Sequence, residues 1–216
     1  AYRLYLKNLL NEGKIEKKLI NDACKRILTA KFKLGLFDDP YRYCDIAREK
    51  ETVNKPEFLE AARISAAKSS VLLKNSGMAL PLNKRQTIAL IGPLAKDEKN
   101  IIGNWAAAGD RSGAAVSIYE GIQEFLPSKK ILYAKGCDIN SDDTGGFREA
   151  IKIAQKSDKI VMVMGEDFHM SGEAASRTNI KLPGKQGELI RLLRKEFPEK
   201  EMILVLMNGR PLDLSE

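Results

Sequence analysis

The ionisable side chains that could do chemistry are concentrated in one short segment, residues 166–177. The segment contains, in chain order, Glu166, Asp167, His169, Glu173 and Arg177. It follows directly on an apolar run, residues 159–164, whose β-branched content is typical of a buried strand. In open α/β sheets, ligands bind just beyond the carboxyl ends of the strands. We therefore expect any functional site of this chain to lie in this segment.

Glu166 and Glu173 are the pair with the clearest chemical use. Glycoside hydrolysis needs two carboxyl groups, one to protonate the leaving oxygen and one to act as nucleophile, about 5–5.5 Å apart in retaining enzymes. On spacing alone, an exposed or helix-capping loop carboxylate is the more common explanation for either residue. The pair is therefore a hypothesis that needs support from the rest of the chain.

His169 is the only histidine of the chain. A lone histidine is more often a hydrogen-bonding loop residue than a ligand or a base, although the neighbouring carboxylates make this one a candidate. Ser171 and Ser176 lie nearby, but neither is in a Gly-x-Ser-x-Gly nucleophile elbow. The sequence therefore argues against a Ser-His-Asp triad.

A second acidic group copies most of a calcium-binding loop: Asp138-x-Asn140-x-Asp142, followed by Glu149. The sixth position of such a loop needs glycine for a sharp turn, and here it is Asp143. We therefore predict a helix cap here, with no metal site and no cofactor. No Gly-x-Gly-x-x-Gly or phosphate loop is present, so a flavodoxin-like nucleotide binder is a weak alternative that would rest on fold analogy alone.

The composition is that of a globular protein of 216 residues, 44% hydrophobic and 30% charged. The net charge of +7 comes from 36 basic and 29 acidic residues that are interleaved along the chain. This distribution favours a solvated basic surface over a nucleic-acid interface. No apolar run is long enough to span a membrane, and the three cysteines show neither metal-ligand nor disulfide spacing.

The elements that must position residues 166–177 are read from the hydrophobic periodicity. Residues 1–35 have helical periodicity, residues 41–56 are polar and predict a linker, and a helix follows over residues 58–67. Strands are predicted at residues 71–75, 87–91, 131–134, 159–164 and 202–207. The last four alternate with helices at residues 116–125, 147–155 and 183–193, and residues 100–108 are predicted as a loop. Such alternation indicates βαβ units and a mostly parallel sheet flanked by helices, an α/β sandwich.

Both ends of the chain are expected to be truncated. Residues 1–11 already have the pattern of a helix interior, and another helix should follow the strand at residues 202–207. The N-terminal helical segment would then come from a preceding domain.

Several short motifs together resemble glycoside hydrolase family 3, in particular the bacterial β-glucosidases. Two of them are Gly172-Glu-Ala-Ala-Ser-Arg177 and Val205-Leu-Met-Asn-Gly-Arg-Pro211, and the resemblance is specific because many such motifs coincide. The other matching stretches lie at residues 26–37, 66–75, 80–82, 90–93, 103–105, 133–136, 165–166 and 182–186. The resemblance covers nearly the whole chain, in order and at plausible spacing.

The resemblance implies a division of labour between two domains. Residues 1–40 would be the helical tail of a barrel domain that carries the nucleophilic aspartate, which this chain lacks. Residues 41–56 would be the linker, and residues 57–216 an incomplete α/β sandwich domain that supplies the acid/base glutamate. The implied protein is a retaining, exo-acting β-glycosidase that acts on a β-glucoside or a small oligosaccharide. The resemblance also implies a periplasmic or secreted location.

Carried onto this sequence, the resemblance assigns the acid/base role to Glu173. His169, Met170, Ser171 and Arg177 would line the sugar pocket, and Glu166 would support the catalytic residues from behind. The expected partners are the sugar substrate and the missing barrel domain, with no nucleic acid and no membrane. The chain alone is expected to be inactive.

A different class of function also fits the sequence. The chain could be a non-catalytic module that binds carbohydrate or only shapes a pocket, in which case the loop carboxylates are ordinary surface groups. Such a module would bind sugar without the barrel domain, which an enzyme fragment is not expected to do.

Overall fold

The computed structural model describes residues 2–106 and 115–215, and the chain divides into two compact units, Ala1–Val71 and Leu72–Glu216. The first unit is helical, with α1 at Tyr2–Asn11, α2 at Lys17–Lys33, α3 at Ile46–Thr52 and α4 at Pro56–Ser69. Pro56 opens α4, where its missing N–H costs no helical hydrogen bond. Asp45 caps α3 by accepting a hydrogen bond from the Arg48 amide at 3.0 Å. The segment predicted as a linker therefore contains a helix.

The second unit contains four strands: β1 at Ile88–Ile91, β2 at Ile131–Ala134, β3 at Lys159–Gly165 and β4 at Met202–Met207. Helix α5 spans Ile118–Phe125, α6 spans Phe147–Gln155 and α7 spans Gln186–Glu196. The strands pair in parallel in the order β2-β1-β3-β4. The predicted α/β sandwich with a parallel sheet is confirmed.

The two faces of the sheet bury two separate sets of apolar side chains, because successive residues of a strand point to opposite faces. On one face, Ile91, Met162 and Met164 pack with residues of α6 and α7. On the other, Leu90 and Val163 pack with residues of α5. β1 and β3 are buried along their whole length, which explains their continuous apolar sequences.

Helix α5 is fixed at its start by a capping box. The Glu120 amide donates to the Ser117 hydroxyl at 3.2 Å, and the Ser117 amide donates to the Glu120 carboxylate at 2.8 Å. The Ser117 hydroxyl also donates to this carboxylate, at 2.8 Å. The bonds from Ser117 hold the pKa of Glu120 below its usual value. The start of α6 differs from the prediction, because its N-cap is Gly146 and no side chain caps it. The Asp143 carboxylate instead accepts from the Gly145 amide at 2.8 Å, inside the preceding turn.

The predicted strand at residues 71–75 is wrong, since these residues form no regular secondary structure. Their apolar side chains Val71, Leu72 and Leu73 are all more than 60% exposed. Strand propensity is expressed only where a pairing partner and a buried face are available, and the described residues supply neither here. The predicted loop at residues 100–108 includes a 3-10 turn at Asn104–Ala106, and its last two residues lie outside the described part of the chain.

The cysteines differ sharply in environment, which gives a first testable prediction. Cys24 and Cys44 are exposed, whereas Cys137 is buried just after β2. Burial, reinforced by the nearby negative charge of Asp138, raises the pKa of the Cys137 thiol to about 11. At pH 8 only about one Cys137 thiol in a thousand is then the reactive thiolate. We expect two thiols of the native 216-residue chain to react rapidly with a disulfide reagent, and the third only after unfolding.

The control for this titration is the Cys137→Ala variant, which should give two rapid thiols in both the native and the unfolded state. Rapid reaction of all three thiols in the native chain would show that Cys137 is accessible, contrary to its burial.

Candidate functional site

The candidate site lies at the carboxyl edge of the sheet, where the order in which successive strands are added changes direction. The chain passes from β1 outward to β2, and then returns to place β3 on the other side of β1. The position between the carboxyl ends of β1 and β3 is therefore the switch point of the sheet, which is where open α/β sheets bind ligands. Gly92 directly follows β1 and Gly165 ends β3, with φ angles of 140° and 146°. A side chain at either position would overlap the backbone of the neighbouring strand, so both positions require glycine.

The loop after β3 is joined to the loop after β1 by two side-chain amides. The Phe168 backbone amide donates to the side-chain oxygen Oδ1 of Asn100 at 2.7 Å. The Asn104 amide nitrogen donates to the Ser171 carbonyl. Asn100 is itself held by Asp97, to which its backbone and side-chain nitrogens each donate at 2.7 Å. The loops after β1 and β3 are thus connected along residues 168–171.

Glu166 is a buried carboxylate, only 3% exposed, at the exit of β3. Its amide donates to the Met207 carbonyl at 2.9 Å, which continues the β3–β4 ladder by one residue. Arg177 Nη1 donates to one of its carboxylate oxygens at 2.5 Å. Arg210 Nε lies 3.3 Å from the other oxygen. One buried negative charge is thus compensated by two guanidinium groups, as a carboxylate out of water requires.

The contact between Glu166 and Arg210 is an ion pair without a hydrogen bond. Both Oε2 of Glu166 and Nε of Arg210 are buried, and neither atom has a hydrogen-bond partner in the described part of the chain. At 3.3 Å the charges attract each other, but the N–H of Arg210 is not directed at the oxygen. Arg210 also donates from Nη2 to the Ala175 carbonyl at 3.4 Å.

The predicted pocket residues are placed unequally by this loop. His169 is exposed, and its ring lies against that of Phe168 with 3.8 Å between centroids. The sulfur of Met170 accepts from Arg177 Nη1 at 3.5 Å, so Met170 and Arg177 are brought together with Glu166. Ser171 is partly buried and contributes its carbonyl to the bond from Asn104.

Glu173 is exposed and lies between Glu166 and Arg177 along the loop. It stands between two residues in the left-handed region, Gly172 with a φ of 102° and Ala174 with a φ of 60°. A positive φ is uncommon at a non-glycine residue, and Asn54 and Met78 are the other described non-glycine residues that adopt one. A side chain at Gly172 would overlap Asn104, so the loop passes close to the loop after β1 at this point.

Gln186 holds the loop's starting point and was not predicted as a site residue. It is fully buried, and its carbonyl oxygen accepts from the Gly165 amide at 2.8 Å. Its amide nitrogen donates to the carbonyls of Gly165 and Ile139, each at 2.8 Å. These bonds satisfy the backbone N–H and C=O groups of Gly165 at the end of β3, and so fix the point from which the loop leaves the sheet.

Sequence reasoning also missed Arg210, Asn100 and Asn104. A usable signal existed for Arg210, because it follows a predicted strand as Glu166 does, and neighbouring parallel strands bring their carboxyl ends together. Asn104 lies in the matching stretch at residues 103–105, whereas Asn100 follows β1 with no pattern that distinguishes it from other loop residues. Within residues 2–106 and 115–215, no group of three or more metal-binding side chains lies close enough together to hold a metal ion. None of the described helices has the length and apolar character needed to cross a membrane.

The fold and the site define a parallel α/β sandwich domain with an acidic loop and a buried charge cluster at the carboxyl ends of β3 and β4. Residues 70–216 match the glycosyl hydrolase family 3 C-terminal domain. The chain therefore belongs to glycoside hydrolase family 3.

Individual relatives agree with this assignment. The chain is 39% identical to the periplasmic β-glucosidase of Salmonella typhimurium over 99% of this chain and 31% of the relative. It is also 39% identical to a β-xylosidase of Formosa agariphila over 97% of this chain and 29% of the relative. The chain thus spans less than a third of the length of these relatives.

Solved structures of the family have the same fold. A β-glucosidase from Listeria innocua, crystallised as its D270A mutant in complex with laminaribiose, superposes with a TM-score of 0.86 at 31% identity. The match covers 97% of this chain and 28% of the Listeria enzyme. Another crystal structure of the enzyme contains isofagomine and superposes with a TM-score of 0.85.

Proposed function

We propose that this chain supplies the acid/base carboxyl group of a retaining, exo-acting β-glycosidase with β-glucosidase-like activity. The observation that carries the proposal is the exposed Glu173 on a loop whose base is fixed by the buried Glu166 cluster at the carboxyl ends of β3 and β4. The relatives named β-glucosidase and β-xylosidase support this chemistry. The substrate would be a β-glucoside or a small oligosaccharide.

The proposed reaction is a double displacement. Glu173 gives its proton to the glycosidic oxygen while the bond from that oxygen to the sugar C1 breaks and a carboxylate of the barrel domain bonds to C1. The Glu173 carboxylate then takes a proton from water as the water oxygen bonds to C1 and the barrel carboxylate leaves. Glu173 is accessible for both proton transfers, because its side chain is exposed and no described group engages it.

The proposal assigns the remaining parts of the chain as follows. Residues 1–40 are the tail of the barrel domain, residues 41–56 connect the domains, and residues 57–216 form the acid/base domain. His169, Met170, Ser171 and Arg177 line the sugar pocket, and Glu166 supports the loop from its buried position. We propose a periplasmic or secreted location, which the periplasmic Salmonella relative supports.

The stereochemistry of the reaction tests the proposed function. We expect the complete enzyme, with its barrel domain, to hydrolyse an aryl β-glucoside or β-xyloside and to release the β-anomer of the sugar first, as seen by proton NMR before mutarotation. First release of the α-anomer would contradict a retaining mechanism. Absence of turnover on all aryl β-glycosides would contradict the proposed activity.

Measurements on the 216-residue chain alone distinguish an enzyme part from a non-catalytic module. The 216-residue chain alone should show no turnover, because it lacks the proposed nucleophile, and should bind glucose or xylose weakly in calorimetry. Tight binding of either sugar by this chain alone would favour a carbohydrate-binding module instead.

A further inference from the structure

The turn after β4 contacts the loop of Glu173 on both sides of that residue. Two residues before Glu173, the side chain of Ser171 packs so closely on Gly209 that a side chain at position 209 would overlap it. Two residues after Glu173, the Ala175 carbonyl accepts from Arg210 Nη2 at 3.4 Å. The turn itself is closed by a bond from the Asn208 amide nitrogen to the Arg210 carbonyl.

The same turn reaches the base of the loop through the charge of Arg210. Its Nε lies 3.3 Å from one oxygen of the Glu166 carboxylate. The other oxygen is bound by Arg177, the last residue of the loop at residues 166–177. Glu166 and Arg177 therefore join the two ends of the loop, and Arg210 connects that junction to the backbone beside Glu173. A single guanidinium group holds both the base and the far side of the loop.

We propose that Arg210 is a positioning residue that fixes the carboxyl group of Glu173 for proton transfer. This inference rests on the proposed function and deepens it, since it concerns how the acid/base group is held. Arg210 does not touch the substrate in this arrangement and acts only through Glu166 and Ala175. A fixed position matters because an error of about 1 Å in the placement of a catalytic group can cost about 100-fold in rate.

Arginine suits this task better than lysine. The planar guanidinium group places its Nε 3.3 Å from the Glu166 carboxylate as an ion pair, while its Nη2 donates to the Ala175 carbonyl. A lysine could supply a charge to only one of these two partners.

The test compares two substrates of the complete enzyme that differ in their need for an acid. A β-glucoside with an alkyl or sugar leaving group needs protonation of the leaving oxygen, whereas 2,4-dinitrophenyl β-glucoside does not. We expect Arg210→Ala to lower kcat/KM by about 10–100-fold on the first substrate and by less than about threefold on the second. Arg210→Lys should show a smaller loss with the same selectivity. The matched control is Arg148→Ala, at an exposed position of α6, which should change neither value.

A purely structural role gives a different result. If Arg210 only stabilised the fold, its loss would reduce the fraction of active enzyme and lower both rates equally, which would overturn the inference. Unchanged rates on both substrates would overturn it as well. Should Arg210→Ala fail to fold, the Arg210→Lys variant decides by the same ratio of the two rates.

The Glu173→Ala variant separates this inference from the proposed function. Selectivity for the leaving group in Glu173→Ala but not in the Arg210 variants would overturn the positioning role and leave the proposed function intact. No selectivity in Glu173→Ala would overturn the acid/base assignment itself, and the positioning role with it.

Discussion

Replacing Glu173 with alanine in the complete enzyme is expected to lower kcat/KM for an alkyl β-glucoside by about 10²–10⁴-fold, the usual contribution of a general acid. With 2,4-dinitrophenyl β-glucoside the leaving group departs without protonation, so kcat/KM should change little. The second step still lacks its base, so kcat on this substrate should fall. The measurement is steady-state kinetics of the wild type and the variant on both substrates.

Azide provides the decisive addition to this experiment. As a nucleophile that needs no general base, it should restore kcat of Glu173→Ala on the dinitrophenyl substrate and yield a β-glucosyl azide. Glu124→Ala is the matched control, because Glu124 is an exposed glutamate of α5. It should behave as the wild type with and without azide. Full activity of Glu173→Ala on the alkyl substrate would show that another residue is the acid.

The second large effect concerns the stability of the fold. Glu166→Gln keeps the volume of the side chain but removes the charge that compensates Arg177 and Arg210. Both guanidinium groups pair with this buried carboxylate, so in the variant they would keep their charge and lose this counter-ion. Removal of one partner from a buried ion pair typically costs about 3–5 kcal/mol. We expect the free energy of unfolding of the chain, measured with urea, to fall by about 3 kcal/mol, near the lower end because both arginines are partly exposed.

Glu124→Gln is again the control, and we expect it to change the unfolding free energy by less than about 0.5 kcal/mol, as for most surface substitutions. A loss below about 1 kcal/mol for Glu166→Gln would mean that water reaches the cluster and solvates the arginines. Glu166 would then contribute little to the base of the loop.

The regular elements of the sandwich could be predicted from local pattern. The four predicted strands that alternate with helices all form, and the predicted helix at residues 147–155 has the bounds of α6. These segments are apolar or amphipathic over many residues, so their periodicity is a strong signal. Local pattern failed at residues 71–75, where apolar residues are exposed and unpaired in the described structure. The predicted side-chain cap at the start of α6 also failed, because Asp143 binds the Gly145 amide in the turn before the helix.

The sequence by itself determined the class of fold and the family resemblance, and it predicted the segment of the candidate site, because these depend on residue types and on short spacings along the chain. Only the tertiary structure showed that Glu166 is buried between Arg177 and Arg210, while Glu173 remains exposed. The reason is the order of the strands, which no local pattern encodes. Once β4 lies beside β3, their parallel carboxyl ends bring Arg210 to Glu166 and place the turn at residues 208–210 against the loop of Glu173.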